Sequence, residues 1–387
     1  MMRKSLIGAL CAAFIWPAAV QAELEIEEIP NVATLPSDYP AEWLFVADGN
    51  FNAMVDGKVV LMDVASENKH YKGSFGAAMF GSFLQSKDGK ELYVAETFYS
   101  RGTYGERTDV LVIHDKENLA PVEEIILPGG KRGQFMPQKG SMQQTNDGKF
   151  VLLFNFTPAA SVSVIDIAAR KIVNEIPVPG CSMIYPTGKR GFSSMCGNGT
   201  MMSLVLDDKG QIAEQAVTGA FNNIDDNAMF MKMGLIDGVA YFPTFKGDVV
   251  PVDLSGKTAK NLPSWSLIPE EDKARNWRPG GWYLVADDKK GHLYVLVHED
   301  GMEGSHKNGG SEVWVYDVKK KKRVQRIKLA TWGISIEVTN SKKPQLAVVN
   351  ADFRLDVYDA ASGKFIRNIA VSDTATPFIM YAVEEKQ

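Results

Sequence analysis

A short apolar pattern that ends in aspartate recurs seven times along the chain: VVLMD to Asp63, LVIHD to Asp115, VSVID to Asp166, SLVLD to Asp207, VVPVD to Asp253, VWVYD to Asp317 and LDVYD to Asp359. The aspartates stand 41 to 64 residues apart. Each pattern is preceded by a turn and a more apolar strand, as in AEWLFVADGN, GKELYVAETF and GHLYVLVHED, and most are followed by another turn and strand, as in DVKKKKRVQRIKLA. One unit thus offers three or four short strands in a meander of alternating polarity. A lone meander cannot bury both of its faces. Radial stacking of such sheets buries each against its neighbours and leaves only short edges, so a repeat of this length predicts a β-propeller. Seven repeats predict an all-β, seven-bladed β-propeller of four-stranded antiparallel blades.

The residues before Ala41 and after Val371 are expected to complete one mixed blade that ties the termini together. A single propeller domain is expected over residues 23–387, since no amphipathic helix pattern is long enough for a second domain. IPEEDKARNW, Ile268 to Trp277, is the best short-helix candidate.

The first 22 residues carry Arg3 and Lys4, an apolar run from Leu6 to Val20 and the small-residue site Val20-Gln21-Ala22. This is the pattern of a secretory signal peptide cut after Ala22. The run is short for a bilayer span and no later segment is long and apolar enough to be one, so a soluble periplasmic protein with no membrane contact is expected. Loss of the two N-terminal cations takes the formal charge from −5 to −7. With no basic tail or face, nucleic acid is not an expected partner. The run Lys319 to Lys322 lies between two strand patterns and reads as a solvated hairpin tip.

Cleavage leaves Cys181 and Cys196, and a pair of cysteines in an oxidising compartment most simply forms one disulfide. Closing a loop of that length stabilises a fold by roughly 3 kcal/mol in the chain-entropy model. The five histidines, His70, His114, His292, His298 and His306, show no helical metal-ligand spacing and none adjoins a cysteine. His292 and His298 flank LYVLV as ordinary strand-end residues. Neither a phosphate-binding glycine loop nor a nucleophile elbow nor a dinucleotide fingerprint is present. The strand-ending aspartates have a plain structural role, starting turns through side-chain to backbone hydrogen bonds. No catalytic residue and no metal ligand is therefore assigned. Three segments depart from the repeat: Tyr99 to Asp109, NWRPGGWYLVA from Asn276 to Ala286, and HEDGMEGSHKNGGSEVWVYD from His298 to Asp317. Long loops on a propeller gather at one end of the blades, where sites and partners sit.

At these segments the sequence resembles the heavy chain of the tryptophan tryptophylquinone amine dehydrogenases, the methylamine and aromatic amine enzymes. FYSRGTYGERTDVLVIHD looks like the family's aromatic-arginine-glycine pattern before a strand, Trp277 to Trp282 matches W(R/V)PGG(W/Y), and Asp300 to Lys307 matches DGxEGxHK. Gly180-Cys181 and Cys196 to Gly199 are similar to the family's disulfide pattern, and FTPAASVSVID to its SPA turn. The resemblance implies a seven-bladed heavy chain that pairs with a small light chain, two of each. It places the cofactor, tryptophan tryptophylquinone, and the catalytic aspartate in that light chain, and implies none in this one. It implies oxidation of a primary amine to aldehyde and ammonia, with electrons passed to a blue copper protein of the amicyanin or azurin type. It also places Phe51, in DGNFNAMVDGKVVLMD, at the border of the substrate channel, although blade packing accounts for a phenylalanine there equally well. DGMEGSHK leans towards the aromatic amine enzyme, WRPGGW towards the methylamine enzyme. The rival readings are an autonomous propeller enzyme, such as a lactonase or a quinoprotein with its own cofactor, and a binding-only propeller. The first requires ligands converging on the axis.

Overall fold

Alternation along the strands decides the architecture of the computed structural model, which describes residues 33–372 and 375–384. The expected signal peptide lies outside these residues. In the strand Trp43–Asp48 all six residues are buried. Trp43 and Phe45 join a cluster with Phe83, Leu92 and Val94, whereas Leu44 and Val46 point the other way, into a cluster with Ala347, Val349, Leu355 and Val357. Successive side chains of a strand leave opposite faces of its sheet, so one strand serves two interfaces.

The same division carries round the molecule. Tyr93 and Ala95 pack forward onto Val151 and Leu153. Leu152 and Phe154 open a cluster that continues through Phe192 and Leu204 to Phe242 and Val252. Ile236 and Val249 begin the next, which runs through Val295 and Trp314 to Ile336, Val348 and Tyr358. Val348 is followed by Val349, which faces Leu44 and Val46 where the circuit began. The sheets therefore close on themselves as an all-β propeller. Each fully buried leucine, valine or phenylalanine in these interfaces contributes on the order of 1.5–3 kcal/mol of burial.

Among the described residues, hydrogen bonding groups the strands into six sheets, one of them eight-stranded. That sheet consists of two meanders joined by one 17-residue strand, Lys322–Val338, which pairs first with Gly310–Asp317 and then with Gln345–Asn350. The sheet nearest the chain ends has the order Pro377–Ala382, Trp43–Asp48, Lys58–Asp63, Tyr71–Gly76, with Phe45 opposite Tyr381 and Val46 opposite Met380. The C-terminal segment thus supplies the strand that completes a mixed sheet. Among the described residues before Ala41, 33–40 contain no strand, and Leu35 donates its N–H to the Glu117 carbonyl, beside the neighbouring sheet, at 2.7 Å.

The recurring aspartates start turns. Asp63 accepts N–H bonds from Ala65 and Ser66, Asp115 from Glu117 and Asn118, Asp317 from Lys319 and Lys320. Lys319 to Lys322 accordingly turn back between strands, with Lys321 in the left-handed region at φ 52°. The helix candidate forms a short 3-10 helix, Glu270–Arg275, and Asn276 ends it at φ 48°. The insert after Phe98 is a ribbon rather than a loop. Strands Glu91–Arg101 and Tyr104–Asp115 stay paired from Glu91 opposite Asp115 to Arg101 opposite Tyr104, leaving only Gly102 and Thr103 to turn. Cys181 and Cys196 face each other on adjacent strands and are disulfide-bonded.

Closure predicts a contrast between two variants. Truncation after Val371 removes the Pro377–Ala382 strand and should abolish cooperative unfolding. Leu44→Ala opens one cavity and should cost about 2–5 kcal/mol with cooperativity kept. Urea unfolding followed by tryptophan fluorescence compares them, and a truncated chain that unfolds like the full one would contradict the role given to that strand.

Candidate functional site

The strand registers put the departures from the repeat at one end of the ring. Within each meander the turn-forming aspartate closes the third strand, so the turn between second and third strands lies at the opposite end. Gly49 to Gly57, the tip of the long ribbon and the segment 299–309 are all such connections. The disulfide sits at this end too, where the chain enters the strand Cys181–Thr187.

Two of the singled-out segments are one packed unit. The Gly281 N–H donates to the His306 carbonyl at 3.0 Å, Asp300 N–H to the Arg275 carbonyl at 3.0 Å, and Gly301 N–H to the Asn276 carbonyl at 2.8 Å. The paired glycines of WRPGGW are required by crowding. A Cβ at Gly280 would stand 2.8 Å from the His298 ring, and one at Gly281, where φ is 133°, would meet the Ile334 carbonyl at 2.6 Å. Trp277 is buried against Trp314 at 4.9 Å and lies under the Arg326 guanidinium. His298 Nε2 bonds Ser305 Oγ at 2.9 Å, and His292 Nδ1 bonds Asp288 Oδ2 at 2.7 Å at the far end of the same strand. These two histidines do not meet.

Phe51 stands in the turn after Trp43–Asp48 and is 41% exposed. Its position is fixed from the C-terminal segment. The buried Asp48 carboxylate accepts the N–H groups of Asn50 at 2.9 Å and Thr376 at 2.7 Å, and Phe51 N–H donates to Thr376 Oγ1 at 3.1 Å. The Phe51 ring packs edge-on against Phe378 at 4.7 Å and Phe80 at 5.6 Å. Phe378 also touches Phe353 at 5.7 Å and Trp282 at 6.5 Å. Five aromatic rings from five separate chain segments thus form a rim, in edge and tilted arrangements that suit the ring quadrupoles. Phe80, Phe353 and Phe378 carry no local sequence signal, because what unites them with Phe51 is ring closure.

Beside the rim, Lys232 Nζ lies 4.7 Å from the Trp282 ring and 5.9 Å from that of Phe230. Among the described residues no carboxylate pairs with it, and burial pulls its pKa down from 10.5 to about 8. Deeper along the axis is a cavity of about 170 Å³ lined by Phe83, Lys139, Tyr185, Leu235, Tyr283, Glu337 and Tyr381, among others. Lys139 and Glu337 form an ion pair there, and the ammonium also lies over the rings of Tyr283 and Tyr381 at 4.5 and 5.2 Å. Burial pushes the Glu337 carboxyl and the Tyr283 and Tyr381 hydroxyls up, with Lys139 opposing the shift at Glu337. Among the described residues no group of three histidine, cysteine or acidic side chains could hold a metal, and no helix is long and apolar enough to cross a membrane. What this end offers is an apolar rim of five aromatic rings, with Lys232, its basicity lowered by burial, beside it.

The family profile described as methylamine dehydrogenase heavy chain (MADH) matches residues 41–382, from the first strand to the closing one. The chain belongs to this family. The methylamine dehydrogenase heavy chain of Methylobacillus flagellatus is 27% identical over 374 residues, covering 93% of this chain and 91% of that protein. That of Methylophilus methylotrophus is 27% identical over 390 residues, covering 97% and 93%. Among solved structures, the β-propeller domain of Cps50 (Swd1) from Myceliophteria thermophila superposes with a TM-score of 0.54 at 10% identity, covering 86% of this chain and 98% of that one. At that identity the likeness speaks for the propeller alone. Methylamine dehydrogenase heavy chains are subunits of an amine oxidoreductase.

Lys232 gives a pH test. Between about 8 and 10.5 the unfolded chain holds a proton that the folded chain has lost, so stability rises with pH through that window. Lys232→Met should therefore be more stable than the parent near neutral pH, and its advantage should shrink as pH approaches 10.5. Urea midpoints across the window check this, and a pH-independent difference would show that Lys232 is not held in a depressed state.

Proposed function

We propose that this chain is the heavy subunit of a periplasmic quinoprotein amine dehydrogenase, a seven-bladed propeller assembled as two heavy and two light chains. The reading rests on the family match along 41–382. The rim around Phe51 supports it, since an aromatic side chain left 41% exposed among other rings provides an apolar wall for a partner and a substrate. The seven-blade count is supported by the meanders: counting both halves of the eight-stranded sheet, residues from each line the axial cavity.

Oxidation of a primary amine to an aldehyde takes up one water and releases ammonia, two protons and two electrons. The tryptophan tryptophylquinone of the light chain would accept those electrons and pass them to a blue copper protein. The rim residues of this chain are four phenylalanines and Trp282, with Lys232 beside them, which suit holding and desolvating an amine rather than carrying a cofactor. Phe51, Phe80 and Phe378 would form the channel border, exclude water and limit substrate size. Export through a cleaved signal peptide agrees with the disulfide Cys181–Cys196. Methylamine is favoured as substrate by the relatives' names, and DGMEGSHK keeps aromatic amines within the series to be tested.

Two measurements test the proposal. Native protein purified from the periplasm should carry a second, smaller chain whose quinone absorbance is bleached by a primary amine; a colourless, stable monomer would refute it. With the enzyme in hand, Phe51→Ala should change relative kcat/KM across amines of increasing size by roughly tenfold. Unchanged ratios across the series would remove Phe51 from the channel border.

A further inference from the structure

The base of the ribbon Glu91–Asp115 holds a buried polar network whose endpoint is the rim. Arg132 is 3% exposed. Its guanidinium donates from Nη2 to the Met79 carbonyl at 2.6 Å, from Nη1 to the Phe80 carbonyl at 3.1 Å, and from Nε to Thr97 Oγ1 at 3.0 Å. The Thr97 hydroxyl donates to Asp109 Oδ1 at 2.6 Å, and the same oxygen accepts from Arg107 Nε at 3.0 Å. Arg107 Nη2 in turn donates to the Arg132 carbonyl at 2.7 Å. Thr97, Arg107 and Asp109 all belong to the ribbon.

The carbonyls that Arg132 grips belong to two successive non-glycine residues in the left-handed region, Met79 at φ 51° and Phe80 at φ 57°. Such residues persist only where their surroundings over-determine them. A planar guanidinium with donors on three nitrogens can hold both carbonyls at once. The conformation it holds carries the Phe80 ring over Gly49, where a Cβ would come within 3.2 Å of it, and against Phe51.

We propose that Arg132 is a positioning residue for amine selection, acting through the Met79–Phe80 turn to set Phe80 and hence Phe51, with the ribbon as its anchor. The inference rests on the channel role given to Phe51 above. It gives two of the ribbon's charges a role: Arg107 and Asp109 lock the arginine that locks the rim.

The test uses the assembled heavy and light chains with amines of graded size. Arg132→Lys keeps the charge but cannot hold both carbonyls and Thr97, so relative kcat/KM for large against small amines should shift roughly tenfold. In a Phe80→Ala background the same substitution should produce no shift, which a merely structural arginine would not obey. Asp109→Asn, which loosens the anchor and leaves Arg132 in place, should shift the ratio in the same direction by less, and replaces Arg132→Lys should that variant fail to assemble. An unchanged ratio in a correctly assembled variant, or a shift that survives Phe80→Ala, overturns the proposal. If the parent oxidises no amine at all, the proposed function falls, and hydrogen exchange of the full chain decides the positioning. The Gly81 amide, bonded to the Ala77 carbonyl at 3.1 Å, should then exchange faster in the variant while amides of Trp43–Asp48 do not. Equal exchange at Gly81 overturns it.

Discussion

Every sheet of this ring has two apolar faces and no means of covering either by itself. That constraint organises the molecule. Leu44 and Val46 face one neighbour and Phe45 the other, so each interface is stable only if the next is formed, and the chain of dependence ends where the Pro377–Ala382 strand pairs with Trp43–Asp48. Non-local pairing of this kind carries a loop-closure entropy cost that is recovered only when the circuit is complete.

The same closure builds the candidate site. Asp48 ends the first strand, and its buried carboxylate captures the Thr376 amide at the threshold of the last one. One carboxylate thereby fixes the turn that carries Phe51 and the segment that delivers Phe378. The rim is a by-product of how the ring is fastened, and its remaining members reach the same end from elsewhere, Phe80 from the link to the next sheet and Trp282 and Phe353 from the eight-stranded sheet. The charged axis beneath it, where Lys139 meets Glu337, is costly to bury and is kept tolerable by mutual pairing and by the faces of Tyr283 and Tyr381.

Much of this was legible in the residues. The repeating aspartates marked the turns, the alternation marked the two-faced strands, and the departures from the repeat marked the elaborated end. The ribbon was harder to read, because Arg101, Glu106 and Arg107 look like loop charges; in the fold Arg107 pairs with Asp109 and the ribbon stays hydrogen-bonded almost to its tip. WRPGGW and DGMEGSHK stood out as separate motifs, and their contact through Gly281 and His306 could not be read from spacing. Lys232 and Arg132 gave no signal at all, since nothing local distinguishes a lysine over an indole, or an arginine gripping two carbonyls, from any solvated cation.

Sequence by itself determined the class of fold and the family, because these follow from short-range periodicity and from motifs that each lie within one unit. Only the tertiary structure decided which strand closes the ring, that Phe51 shares a rim with Phe80 and Phe378, and that Arg132 ties the ribbon to that rim. Those contacts join residues as far apart in the chain as Leu44 and Ala382, and no local pattern specifies a partner at that distance until the last strand is in place.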